Sequence, residues 1–80
     1  LGKYRKKPIV IEAIQWDGLN LAEIQEFAGD KAGLVNGKLH VHTVEGSLYA
    51  GLKDWIIKGV QGEFYPCKPD IFAATYEEVK

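Results

Sequence analysis

The chain has 80 residues, 46% of them apolar and 26% charged, with eleven Asp/Glu against ten Lys/Arg and a formal net charge of −1. That length holds a single domain, here residues 1–80, and that balance excludes disordered and fibrous classes. One cysteine excludes an intramolecular disulfide framework, and one Cys with two His falls short of a four-ligand structural zinc site.

Charge is unevenly placed. Lys3, Arg5, Lys6 and Lys7 form a basic arm, residues 3–7; the arm carries four positive charges, so the remainder of the chain is five units acidic. From Pro8 to Trp16 the sequence is β-branched and nearly continuous in apolar character, which predicts a central strand covered on both faces. Period two places Glu12 beside Val10, Ile14 and Trp16, so its carboxylate is expected to need a partner.

Asn20 is a good helix N-cap, and Glu23 completes a capping-box pattern with Leu19 and Ile24 as a hydrophobic staple. The helix is expected over about 21–28, with Leu21, Ile24, Phe27 and Ala28 on its apolar face and Gly29 as its stop. Eight residues do not hold a helix in water unaided, so it must lie on a sheet.

After Gly33 the pattern is strand and tight turn. Asn36-Gly37 is a strong hairpin signal joining a Leu34-Val35 edge to Lys38 through Thr43. There Leu39, Val41 and Thr43 alternate with a solvated face of Lys38, His40 and His42. Further turns at Glu45-Gly46, Gly51 to Asp54 and Gln61-Gly62 separate strands over 47–50, 55–60 and 63–66, giving a meander. The end admits two readings. A helical face of Ile71, Phe72, Thr75, Tyr76 and Val79 competes with a turn near 69–73 followed by a strand over 75–79, and the strand, pairing with the first one, is preferred.

The expected fold is therefore α+β: a small, strongly bent antiparallel sheet or partial barrel of five or six strands, with one packed helix and a short helical turn near 69–73. Such a small chain buries only about 60% of its unfolded surface, which favours a homo-oligomer.

Candidate chemistry is sparse. His40 and His42 share a strand face at a spacing that suits a metal, yet further ligands are lacking, and no metal or cofactor is expected. Cys67 lies beside Lys68, which favours a lowered thiol pKa, but no Cys/His catalytic signature surrounds it, so no catalytic residue is assigned. Arg5, Lys6 and Lys7 with Tyr4 resemble a footprint for phosphate, while a pI near 6.1 argues against a broad nucleic-acid surface. Trp16, Trp55, Phe64 and Tyr65 are read as core. Glu63, Tyr65, Lys68 and Asp70 lie along a proline-bounded segment that makes a contact site if they face one way. The longest uncharged apolar run, Pro8 to Ile11, is far below the roughly 18 residues of a membrane span, and no signal peptide is apparent.

The blocks Asp54-Trp55-Ile56-Ile57-Lys58-Gly59-Val60, Gly62-Glu63-Phe64-Tyr65-Pro66-Cys67-Lys68-Pro69-Asp70-Ile71-Phe72 and Thr75-Tyr76-Glu77 resemble a family of short phage- and prophage-encoded proteins of unassigned function. Tyr4 to Pro8 running into Ile11 to Trp16 is similar too, so the likeness spans nearly the whole chain. Lys53 departs from the family pattern, which favours Gly before the Asp-Trp pair, in a turn where Lys tolerates positive φ poorly. The resemblance implies a cytoplasmic protein of a bacterial host. The expectation is a non-catalytic accessory protein that binds a protein of phage or host, or itself. A nucleic-acid or nucleotide module using the arm is the alternative, and no membrane partner is expected.

Overall fold

The computed structural model describes residues 1–79. Its elements are β1 (Glu12–Gln15), α1 (Leu21–Ala28), a 3₁₀ turn (Gly29–Lys31), β2 (Ala32–Val35), β3 (Lys38–Thr43), β4 (Gly46–Ala50), β5 (Trp55–Lys58), β6 (Phe64–Cys67) and α2 (Pro69–Thr75). The six strands form two antiparallel three-stranded sheets, ordered β1-β5-β6 and β2-β3-β4, and they do not close into a barrel. No helix among the described residues is long and apolar enough to cross a membrane.

The second sheet follows its sequence closely. Asn36 and Gly37 both take positive φ, 53° and 77°, as a type I′ hairpin turn requires. Strand β3 then buries Leu39 and Val41 completely and turns Lys38, His40 and His42 outward. Strand β2 starts two residues earlier than the Leu34-Val35 edge, because Ala32 pairs with Val41 and is itself buried. Helix α1 packs Ile24 and Ala28 into the core with Leu21 and Phe27 alongside, and Gly29, at φ 62°, ends it by donating its N–H to the Gln25 carbonyl.

At the start of α1 the expected capping box and staple do not form. The Asn20 side chain accepts from the Asp17 N–H at 3.0 Å and donates through Nδ2 to the Gln15 carbonyl at 2.8 Å. Its polar atoms secure the β1–α1 connection, leaving none for the helix N-terminus. Leu19 is 94% exposed, since the Asp17 carboxylate holds the Leu19 N–H in a local turn that points the side chain away from Ile24.

The strand covered on both faces is β5, not the expected Pro8–Trp16 segment. It lies between β1 and β6, and its Ile56 and Ile57 point to opposite faces while both are fully buried. Ile56 enters the core shared by the two sheets and α1. The opposite, outer face carries Trp55 and Ile57, and α2 lies over it with Phe72 stacked on Trp55 at 4.2 Å between ring centroids and 7° between planes. Strand β1 is an edge only four residues long, and Pro8, Ile9 and Val10 before it are exposed. Glu12 is exposed as well, so its carboxylate meets no burial cost and needs no partner.

The expected final strand is absent. Pro69 opens a seven-residue helix that continues to Thr75, whose hydroxyl donates to the Ile71 carbonyl, and the Tyr76 N–H closes it on the Phe72 carbonyl. Stacking of Phe72 on Trp55 rewards the helical reading, so residues 76–79 continue without pairing to β1.

The loop from Gly51 to Asp54 joins the sheets. The Asp54 N–H donates to the Gly51 carbonyl, and Lys53 has a φ of 73° at the third position of the turn, where type II geometry favours glycine. The strain is held because the Lys53 N–H donates to the Trp16 carbonyl at 2.7 Å and its carbonyl accepts from Gln15 Nε2 at 2.9 Å. Asp54, 3% exposed, accepts from the Gly51 N–H at 2.8 Å and from Lys68 Nζ at 2.9 Å through one carboxylate oxygen.

Two stability changes follow, both read from urea unfolding. Lys53→Gly relieves the left-handed backbone and raises stability by about 1 kcal/mol, less the extra unfolded-state entropy of glycine. Asp54→Ala strands the Gly51 N–H and lowers stability by about 2 to 3 kcal/mol; Lys68→Met leaves the buried Asp54 carboxylate without its cation and costs a comparable amount at neutral pH.

Candidate functional site

A concavity of about 600 Å³ runs along β1. One wall is Ile14 and Phe27, at the margin of the core; the other is Trp55, Phe72 and Tyr76, on the outer face of the first sheet. Val10 and Val79 add apolar surface to the lining, and the exposed residues Glu12, Glu77 and Glu78 also line the groove. An apolar floor is thereby bordered by three carboxylates.

The groove exists because β1 has a neighbour on one side only. Trp16 donates its N–H to the Asp54 carbonyl, which fixes the phase of the β1–β5 ladder. In that phase Glu12 and Ile14 direct their main-chain groups toward β5, and Ala13 and Gln15 direct theirs outward. Asn20 takes the Gln15 carbonyl. Ala13 keeps an outward N–H and carbonyl without a protein partner among the described residues, the condition in which a sheet edge accepts another strand.

The residues singled out in the sequence fall in three places. Lys6 lies over the Tyr76 ring, its ammonium 5.1 Å from the centroid, while Arg5 and Lys7 are exposed on the arm. Tyr65 is half-buried on the outer face of the first sheet, near Tyr76 and Glu63. Glu63 folds back so that its carboxylate accepts from the Gln61 N–H at 3.0 Å and occupies the space a Cβ at Gly59 would need. The Lys68 ammonium is engaged by Asp54, which holds its pKa above the usual lysine value, while Asp70 is exposed in the first turn of α2. Glu63 and Lys68 are thus occupied by internal partners. Of the four aromatics assigned to the core, Trp16 and Phe64 are buried in it; Trp55 and Tyr65 belong to the opposite face of the same sheet.

The thiol and the imidazoles are far from a shared task. Cys67 is half-buried, and burial first, then the charges of Asp54 and Asp70, push its thiol pKa up, with Lys6 opposing. The expected lowering by Lys68 does not occur, since that ammonium is directed to Asp54. His40 and His42 stand on the outer face of the second sheet, where their Nδ1 atoms approach the Lys38 carbonyl at 3.2 Å and the Ser47 hydroxyl at 3.3 Å. Among the described residues no three His, Cys, Asp or Glu side chains converge as metal ligands.

The groove was not singled out from sequence. Its signal was present in the acidic pair Glu77-Glu78 and in the β-branched run before Glu12, which pattern reading assigned to a pair of strands joined to each other.

Tyr65 reports on packing at this face. Burial first, then the neighbouring Tyr76 hydroxyl and the charges nearby, push its phenol up to about 12. Between the unfolded value near 10 and about 12 the unfolded chain ionises while the folded chain stays neutral, so stability falls as pH rises through that window. A spectrophotometric titration of the four tyrosines is expected to show one late phenol, which disappears in Tyr65→Phe. No protein-family model, no curated protein and no solved structure matches this chain.

Proposed function

We propose that this chain is a non-catalytic accessory protein of a phage or prophage that works by holding an extended polypeptide in the groove beside β1. The polypeptide comes from a protein of phage or host, or from the chain's own oligomer. One observation carries the reading: Ala13 presents an open donor and acceptor between two apolar walls, the arrangement used in strand addition, where main-chain bonds give affinity and flanking pockets give selectivity. The bordering carboxylates of Glu12, Glu77 and Glu78 select a segment that carries Lys or Arg among apolar residues. The phage origin rests on the likeness of the Asp54-to-Phe72 block. The non-catalytic assignment is supported by position, with a weakly acidic thiol on one outer face and both imidazoles on the other.

A second reading, binding of single-stranded nucleic acid or a nucleotide, has its own support on the second sheet. Lys38 lies over the exposed Tyr49 ring at 5.5 Å, with His40 tilted against the same ring at 5.9 Å. This sets a cation and an imidazole beside an aromatic face.

An array of nonapeptides probed with the labelled chain separates the two. Basic-apolar sequences are expected to be retained by the wild type and lost with Ala13→Pro, which removes the outward N–H without touching the β5 ladder. No retention above background, together with salt-dependent binding of a fluorescent oligothymidine that Tyr49→Ala abolishes, would move the assignment to nucleic acid.

A further inference from the structure

We infer that the segment seated in the β1 groove is the basic arm of a second copy of this chain, paired antiparallel with β1 in a reciprocal two-fold exchange. The inference rests on the groove's reading as a strand-addition site and names its occupant.

Charge is the first argument. The arm concentrates four cations in residues 3–7, and the groove borders its floor with Glu12, Glu77 and Glu78. Among the described residues no arm cation pairs with these carboxylates within one chain; Lys6 lies over the neutral Tyr76 ring, and residues 1–10 are exposed throughout. The Cα radius of gyration of 13.4 Å exceeds the roughly 12 Å of a compact domain of this length, as a projecting arm requires.

Strand parity is the second. A two-fold axis normal to the sheet keeps each face on its own side, so odd residues must pair with odd residues and even with even. The exchanged bonds fall on odd residues, because Ala13 and Gln15 are the ones directed outward. Pro8, which has no N–H to give, is even and lies where the ladder asks nothing of it. A register centred on Glu12 places two carboxylates opposite each other and is disfavoured. One centred on Ile11 carries the cations past the groove. Centring on Ile9 sets the partner's Lys6 opposite Glu12 and the partner's Arg5 opposite Ala13, beside the Trp55–Phe72 stack. The partner's Tyr4 then faces Ile14 and Phe27. Acid meets base and aromatic meets apolar wall in the same register.

Sedimentation equilibrium of the full chain, from about 10 µM to about 1 mM, tests this. A reversible dimer is expected at low salt, with its dissociation constant rising about tenfold or more at high salt. Ala13→Pro is expected to be monomeric with an unchanged circular dichroism spectrum. The triple reversal Arg5→Glu, Lys6→Glu, Lys7→Glu is expected to be monomeric alone and to dimerise again when joined to Glu12→Lys, Glu77→Lys, Glu78→Lys in the same chain. Should Ala13→Pro not fold, the reversal and its rescue decide the matter. A wild type that stays monomeric over the whole range overturns the proposal, and so does a dimer indifferent to the reversal. A monomer that still retains basic-apolar nonapeptides overturns the second copy as occupant while leaving the groove reading intact.

Discussion

The buried carboxylate of Asp54 is the constraint on which the rest of this small structure depends. Its residue makes four hydrogen bonds to three parts of the chain at once. The main-chain carbonyl takes the Trp16 N–H at the end of β1, and the main-chain N–H reaches the Gly51 carbonyl after β4. The side chain takes the Gly51 N–H and the Lys68 ammonium at the entrance to α2. Both sheets and the helix over the outer face are thus set from one turn. Burying a charge is costly unless it is paired and hydrogen-bonded, and here one oxygen receives both a main-chain donor and an ammonium that stays 58% exposed. The desolvation cost therefore falls mainly on the carboxylate. Lys53 is held in its left-handed conformation by the same turn, through bonds to Trp16 and Gln15 at the end of β1.

Placement of α2 follows from that anchor and determines where the molecule is open. Lys68 is the residue before Pro69, so its bond to Asp54 fixes the start of the helix against β5. From there Phe72 reaches Trp55 and Tyr76 reaches Phe72, at 4.2 and 5.0 Å between centroids. This stack covers β5 on its outer face, which is why Ile56 and Ile57 are both buried although they point in opposite directions. The helix ends at Thr75, and the chain beyond it flanks β1 without pairing to it. The open edge of β1 and the groove beside it are consequences of the same packing that buries β5.

Local signals were legible where a few adjacent residues determine the backbone. Asn36-Gly37 specifies its turn through two positive φ angles, and the Leu39/Val41 against Lys38/His40/His42 alternation specifies which side of β3 is core. Helix α1 was legible with its limits for the same reason. The misread features turn on distant competition. Asn20 has a capping residue's chemistry, but the Gln15 carbonyl and Asp17 N–H lie within its reach and take it. Pro8 to Trp16 has the composition of a buried strand, yet coverage on both faces is conferred by neighbours, and β5 received them. The strongest ionic contact, between Asp54 and Lys68, spans fourteen residues and had no local signature. The groove is harder still, since an open edge is defined by a strand that fails to arrive.

An exposed sheet edge invites indiscriminate pairing, and the sequence around β1 contains the usual deterrents. The strand is four residues long, Pro8 precedes it, Glu12 faces solvent, and cations fill the arm. Of these, Glu12 acts together with Glu77 and Glu78, which disfavour acidic segments and favour Lys and Arg. Protection from aggregation and choice of partner are then one property. The carboxylates that deter acidic strands are the same ones that, in the pairing proposed above, meet the cations of the arm.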